Sequence, residues 1–215
     1  IILSPAKKQA KLAAHGGTKS QIIFKSKSHH LIKYLKLQSR SKIKALMSIS
    51  DSLSDLNYQR FQDFDSQNYT DDNAAQAVFL FQGDAYKSLD AISLTEKQLA
   101  FAQDHLLLLS GLYGALRPLD LIQPYRLEMK TKLATDHAKN LYEYWQADLT
   151  QLLNQRLEKA SAPLVNLASV EYSNAIDFKQ LNMPYVNVHF KQQQKNQFRS
   201  IGILTKRARG LMTRY

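Results

Sequence analysis

A mixed α/β (α+β) fold, one domain over residues 1–215 with a mixed sheet flanked by helices, is what this sequence predicts, and three features carry that reading. Helical stripes of apolar residues alternate with short apolar segments bounded by proline, glycine, asparagine or serine. No internal repeat, low-complexity tract or linker divides the chain. Its 215 residues, 44% hydrophobic and 22% charged, suffice to bury a core of ordinary size.

The elements follow in order. "IILS" reads as a short buried strand stopped by Pro5, which cannot continue a central ladder. Residues 6–40 are basic and weakly patterned, and "KKQAKLAAHGGTKSQ" reads as a surface loop around Gly16 and Gly17. From Ser39 a helical stripe runs through Ile43, Leu46 and Met47, and a second, after a break at Ser50-Asp51, through Leu53, Leu56, Phe61 and Phe64. "AVFLFQGDAY", residues 77–86, reads as a buried strand leading into a turn at Gly83-Asp84. Ser93/Glu96 and Thr95/Gln98 are overlapping capping boxes, and Leu99, Ala102, Leu106 and Leu109 continue that helix toward Ser110. Leu141, Trp145, Leu149 and Leu152 mark a further helix. "PLVNLAS", "PYVNVHF" and "FRSIGIL" have strand composition, and "TKRARGLMTRY" suits a basic helix.

Composition narrows the chemistry. With no cysteine, disulfides, thiolate nucleophiles, zinc fingers and cysteine-ligated clusters are excluded. A cytoplasmic protein is expected, without a membrane span or signal peptide. Twenty-nine lysines and arginines against 18 acids give a formal charge of +11, which favours polyanionic partners.

Two of only seven glycines fall in "LLLLSGLYGALRPLDLIQPYRLEM", at 111 and 114. Two readings are open. A plain αα-hairpin would use glycine as a helix cap. A helix-hairpin-helix element over about 96–125 would instead present the amides of Ser110, Gly111, Leu112, Tyr113 and Gly114 to a phosphate, with Arg117 adding charge.

The blocks "ILSPAK" (2–7), "SISDSL" (48–53), "FQGDAY" (81–86), "LSGLYGALRPLDLIQPYRLEM" (109–129), "NLASVEY" (166–172) and "KRARGLMTRY" (206–215) together resemble the YaaA family of peroxide stress resistance proteins, in family order across nearly the whole chain. The resemblance implies a cytoplasmic bacterial protein with a mixed α/β fold of its own, a basic cleft and a DNA-binding helix-hairpin-helix element. It also implies a role in hydrogen peroxide stress, by keeping free iron low and limiting oxidative damage. Lys8 stands where the family has threonine, and Lys130 where "EMG" is usual. The family continues beyond the final block, so this chain is expected to lack a C-terminal segment.

Polar residues of these blocks fall mostly at expected strand ends, where ligand clefts form in α/β folds. Ser4, Lys7, Tyr86, Tyr125, Asn166 and Ser169 are expected to line the cleft. Arg117, Arg126, Lys206, Arg207 and Arg209 suit phosphate, guanidinium offering a bidentate fork. Asp84, Glu128 and Glu171 either position those cations or act as acid, base or metal ligand. No P-loop, nucleophile elbow, metalloprotease or dinucleotide motif is present, so an enzyme acting on a nucleic acid or nucleotide stands as the alternative to a DNA-backbone binder. An iron-binding protein stands third, since Glu-x-x-His is absent. No cofactor or metal is expected, and the ligand is DNA phosphate or a small anion.

Overall fold

Ile2 and Leu3, the first strand-forming residues, are completely enclosed, at 0% and 1% exposure. The computed structural model describes residues 1–13 and 15–215. The chain opens with strands β1 (Ile2–Leu3) and β2 (Lys8–Gln9), followed by helices α1 (Lys25–Lys36), α2 (Arg40–Met47) and α3 (Asp51–Asp63). Ser39 and Ser50 sit in extended conformation before α2 and α3, and their side chains accept from the amides of Lys42 and Leu53. Each removes one unpaired donor from a helix start.

Next come β3 (Ala75–Gln76), the single turn α4 (Ala77–Leu80), β4 (Phe81–Gln82), α5 (Asp84–Leu89) and α6 (Glu96–His105). Thr95 and Gln98 close α6 with the reciprocal capping box the sequence predicts. Strands β5 (Leu107–Ser110), β6 (Gly114–Leu116) and β7 (Leu121–Ile122) precede the long α7 (Leu141–Ala160), β8 (Leu164–Asn166), α8 (Val170–Ser173) and β9 (Tyr185–Asn187). The exposed ribbon β10 (Gln192–Gln194) and β11 (Gln197–Arg199) leads to α9 (Gly202–Arg214).

The main sheet has the order β6-β5-β1-β8-β9. β1 pairs in parallel with β5 and β8, β8 in parallel with β9, and β6 folds back antiparallel on β5. The fold is thus mixed α/β, with its most buried strands at the centre, as parallel strands covered on both faces require. Because the chain leaves β1 toward β5 and later returns on the other side as β8, β1 and β8 diverge at their carboxyl ends. Such a reversal opens a crevice there. The last helix is fastened to α5 in the same direction: a Cβ on Gly210 would stand 1.9 Å from the Ala85 carbonyl oxygen, and Arg214 donates to the Leu89 carbonyl at 2.8 Å.

Several expectations are corrected. The leucine run does not extend α6: the helix stops at His105, and Leu107–Ser110 is a strand with every residue buried. Gly111 and Gly114 belong to the turn of a β-hairpin, with Ser110 paired to Gly114, so no helix-hairpin-helix element exists at 96–125. An apolar run buried on all sides suits the interior strand of a parallel sheet as well as a helix, and periodicity alone does not separate the two. Residues 77–86, expected as one strand, instead form a helical turn, a two-residue strand and the start of α5, broken at Gly83 where φ is 149°. "FRSIGIL" is strand only to Arg199. The expected loop "KKQAKLAAHGGTKSQ" contains residue 14, outside the described residues, and begins with β2. Within the weakly patterned basic region lies α1, burying Ser28, Leu31, Ile32 and Leu35.

Candidate anion-binding cleft

At the carboxyl end of β1 the chain turns through Ser4-Pro5-Ala6-Lys7, and at that of β8 it turns through Leu167-Ala168-Ser169 into α8. These two turns are locked together. The Ser169 amide donates to Ser4 Oγ at 2.8 Å, and Ser4 Oγ donates to Ser169 Oγ at 3.2 Å. Tyr86 Oη, from α5, donates to the Ser4 carbonyl at 3.0 Å. Asn166 accepts from the Ala168 amide and donates to Asn187. Ser4, Tyr86, Asn166 and Ser169 are therefore brought together as expected, but their polar groups already hold the turns in place. Burial pushes the Tyr86 phenol up, so it remains a neutral donor.

The groups left over for a ligand lie beside this lock. Glu128, 8% exposed, is placed by the extended segment after β7. Its Oε1 accepts from Arg126 Nη2 at 3.0 Å, while Lys7 Nζ lies 2.7 Å and Lys130 Nζ 3.6 Å from its Oε2. Burial pushes the Glu128 carboxyl up, but the Lys7 contact and the charges of Lys7, Arg126 and Lys130 outweigh it and hold the group below its ordinary value. It is an anion at neutral pH and a poor proton acceptor.

One carboxylate cannot neutralise three cations. Arg126 keeps a buried Nε–H without an acceptor among the described residues, although its other branch is tied to Glu128. Lys7 and Lys130 have side chains 57% and 62% exposed, so their ammonium groups reach solvent. With Lys132 they line a cleft of about 470 Å³ whose far wall is the last turn of α2, Ala45 to Met47, and the Ser48 that follows it. A helix carboxyl end carries partial negative charge and so helps hold cations close together.

The remaining predicted residues scatter. Glu171 accepts from the Lys130 amide at 3.5 Å and stands at the cleft rim. Asp84 faces Arg207 Nε at 3.7 Å where α9 meets α5, and a Cβ at the adjacent Gly83 would lie 3.5 Å from Ala6. Lys206 is exposed on α9, whereas Arg209 is half-buried with its Nε unpartnered among the described residues. Tyr125 lines a narrow crevice with Lys7 and Arg126, but its hydroxyl lies 2.6 Å from Ser110 Oγ inside the core.

The hairpin itself is closed to ligands. Ser110, Leu112 and Tyr113 are each 0% exposed, and the amides of Leu112 and Tyr113 donate to Ser110 Oγ. Trp145 Nε1 donates to the Gly111 carbonyl at 2.9 Å. Arg117 is committed to Asp120 and to the Gln21 carbonyl. Ser110 to Gly114 are thus corrected from phosphate donors to core, because every donor that can be traced there is met from within. The cleft lysines Lys130 and Lys132 were missed by sequence reasoning; the charge run "KTK" between "EM" and "LAT" was their signal.

Comparison with known proteins bears on this arrangement. The family model described as peroxide stress protein YaaA matches residues 1–215. A UPF0246 protein of Legionella pneumophila (strain Lens) is 46% identical over 216 residues, covering all of this chain and 84% of that protein. UPF0246 proteins of Bordetella avium (strain 197N) and Acaryochloris marina (strain MBIC 11017) are 47% and 46% identical, with the same two coverages. The chain belongs to the family of the peroxide stress protein YaaA.

Proposed function

We propose that this protein acts in peroxide stress by binding DNA through its phosphate backbone, with the basic cleft between β1, α2 and the 126–132 segment as the contact surface. The observation that supports this reading best is the surplus of charge around Glu128: Lys7, Arg126 and Lys130 converge on one carboxylate, and Lys132 lines the same cleft. A phosphate completes such a site by satisfying the cations that the glutamate leaves over. Limitation of free iron and of oxidative damage would follow as the physiological outcome of that role, in keeping with the family.

Binding of this kind is weakly sequence-selective and steeply salt-dependent, since each neutralised phosphate releases counterions. The test is duplex affinity against salt for the parent and for a Lys7→Ala/Lys130→Ala variant. The slope of log affinity against log salt should flatten by about 0.9 for each phosphate that is no longer neutralised. An unchanged slope and affinity would place DNA elsewhere. The concavity of the cleft favours a second reading, a single small phosphate ester. In that case a nucleoside monophosphate would bind the parent and not the variant, while duplex length would have no effect.

A further inference from the structure

A second cluster of chemistry-bearing side chains lies away from the cleft, where α1 meets the segment before α7. His30 Nε2 is 3.2 Å from Asp136 Oδ1, and His137 Nε2 is 3.4 Å from Asp136 Oδ2. The three ligand atoms lie within 4.8 Å of one another. Donors bound at about 2.0–2.1 Å around a tetrahedral ion stand about 3.3–3.5 Å apart, so two of these edges already have the length that a common metal would impose.

The proton inventory sharpens the geometry. Tyr144 Oη donates its only proton to the Lys27 carbonyl at 2.9 Å, so His30 Nδ1, 3.1 Å from that oxygen, must be the donor of its contact. In the neutral ring the proton is therefore on Nδ1, and Nε2 presents a lone pair toward the Asp136 carboxylate. Two lone pairs at 3.2 Å repel unless a positive species, a second proton or a metal ion, stands between them. An outer hydrogen bond that fixes the tautomer and turns the free nitrogen inward is the usual support of a metal-bound histidine. The Asp136 amide donates to Tyr34 Oη at 3.0 Å, so α1 also fixes the backbone that carries the carboxylate.

We propose that His30, Asp136 and His137 bind a divalent first-row transition cation, with the remaining coordination positions open to water. Two imidazoles and one carboxylate suit zinc, cobalt(II) and their neighbours rather than magnesium or calcium, which prefer all-oxygen shells. The ion would join α1 to the segment that leads into α7.

The test is titration of the chelator-stripped intact protein with Co²⁺, followed by its visible d–d absorption, and in parallel with Zn²⁺, followed by the thermal midpoint. One equivalent of Co²⁺ should bind, and Zn²⁺ should raise the midpoint of the parent. His137→Ala, at a side chain 74% exposed and so tolerant of truncation, should lose at least tenfold in Co²⁺ affinity and the Zn²⁺ stabilisation. Asp136→Asn should behave likewise, Tyr144→Phe should weaken binding about tenfold by releasing the tautomer, and His189→Ala should bind as the parent does. Failure to take up one equivalent, survival of binding in His137→Ala and Asp136→Asn, or equal displacement by Mg²⁺ would each overturn the assignment. In the first case the positive species between the rings is a proton.

Discussion

The β5–β6 hairpin and the Glu128 cleft lie within one stretch of sequence, Leu107 to Lys132, yet they differ in how completely their polar groups are matched. In the hairpin, Ser110 Oγ takes two amides, Trp145 takes the Gly111 carbonyl, and Tyr113 exchanges hydrogen bonds with the backbone of Gln123. In the cleft, cations outnumber the acid and a buried guanidinium N–H has no acceptor among the described residues. A fully matched region contributes stability and has nothing to offer a ligand; an unmatched one gives up stability and has much to offer. Glycines mark the first kind here, although a G-x-x-G spacing between apolar segments invites the opposite reading.

Substitutions can break this contrast, and the largest effect should come from Gly111→Ala. The new Cβ would stand 2.4 Å from the Leu127 carbonyl oxygen, a backbone atom without freedom to move aside. Stability by urea titration should fall by about 3 kcal/mol or more. If it does not, the hairpin is looser than its packing implies. Gly114→Ala combines a left-handed φ of 69° with contacts of 2.7 Å to the Trp145 ring, and should lose about 2–3 kcal/mol, with the tryptophan emission reporting the displaced ring.

Glu128→Gln sharpens the other side. Removing the charge leaves Arg126 and Lys7 less compensated, a loss of about 1–2 kcal/mol, moderated because both lysines can rehydrate. Because the folded-state carboxyl titrates below its ordinary 4.5, its contribution is present above that value and is lost as pH falls through the lower, folded value. The acid limb of the stability profile should therefore be shallower in Glu128→Gln, and phosphate affinity should rise. A stability–pH profile superimposable on the parent's would remove Glu128 from the charge balance. The smallest effect on folding belongs to Lys7→Ala/Lys130→Ala, within about 0.5 kcal/mol by urea titration, since both ammonium groups reach water.

What the sequence made legible was local. Ser39, Ser50 and the Thr95/Gln98 pair announce helix starts because a cap is chemistry within three or four residues. Trp145 and Leu149 mark the buried face of α7 for the same reason of short range. Helix α1 was within reach too: Leu31, Ile32 and Leu35 have helical spacing, but the lysines, serines and histidines around them hide the stripe. The leucine run was not legible, because helix and interior strand place the same demand on an apolar segment, and only the distant partners Ile2 and Leu3 select the strand. Polar residues of the cleft could be named from the family blocks. Their division into those that lock turns and those left for a ligand depends on hydrogen bonds between residues as remote as Ser4 and Ser169.

The position of β1 at the centre of the sheet also sets a timetable for synthesis. Ile2 and Leu3 find their hydrogen-bonding partners at Leu107 and Leu108, and Ile2 its other neighbour at Asn166. On a ribosome adding about 5–20 residues per second, that apolar strand waits roughly 10–30 s before both of its edges are covered. The nascent chain must therefore carry an open strand through most of its translation, a window in which a chaperone has a clear substrate and a neighbouring chain a clear place to misjoin.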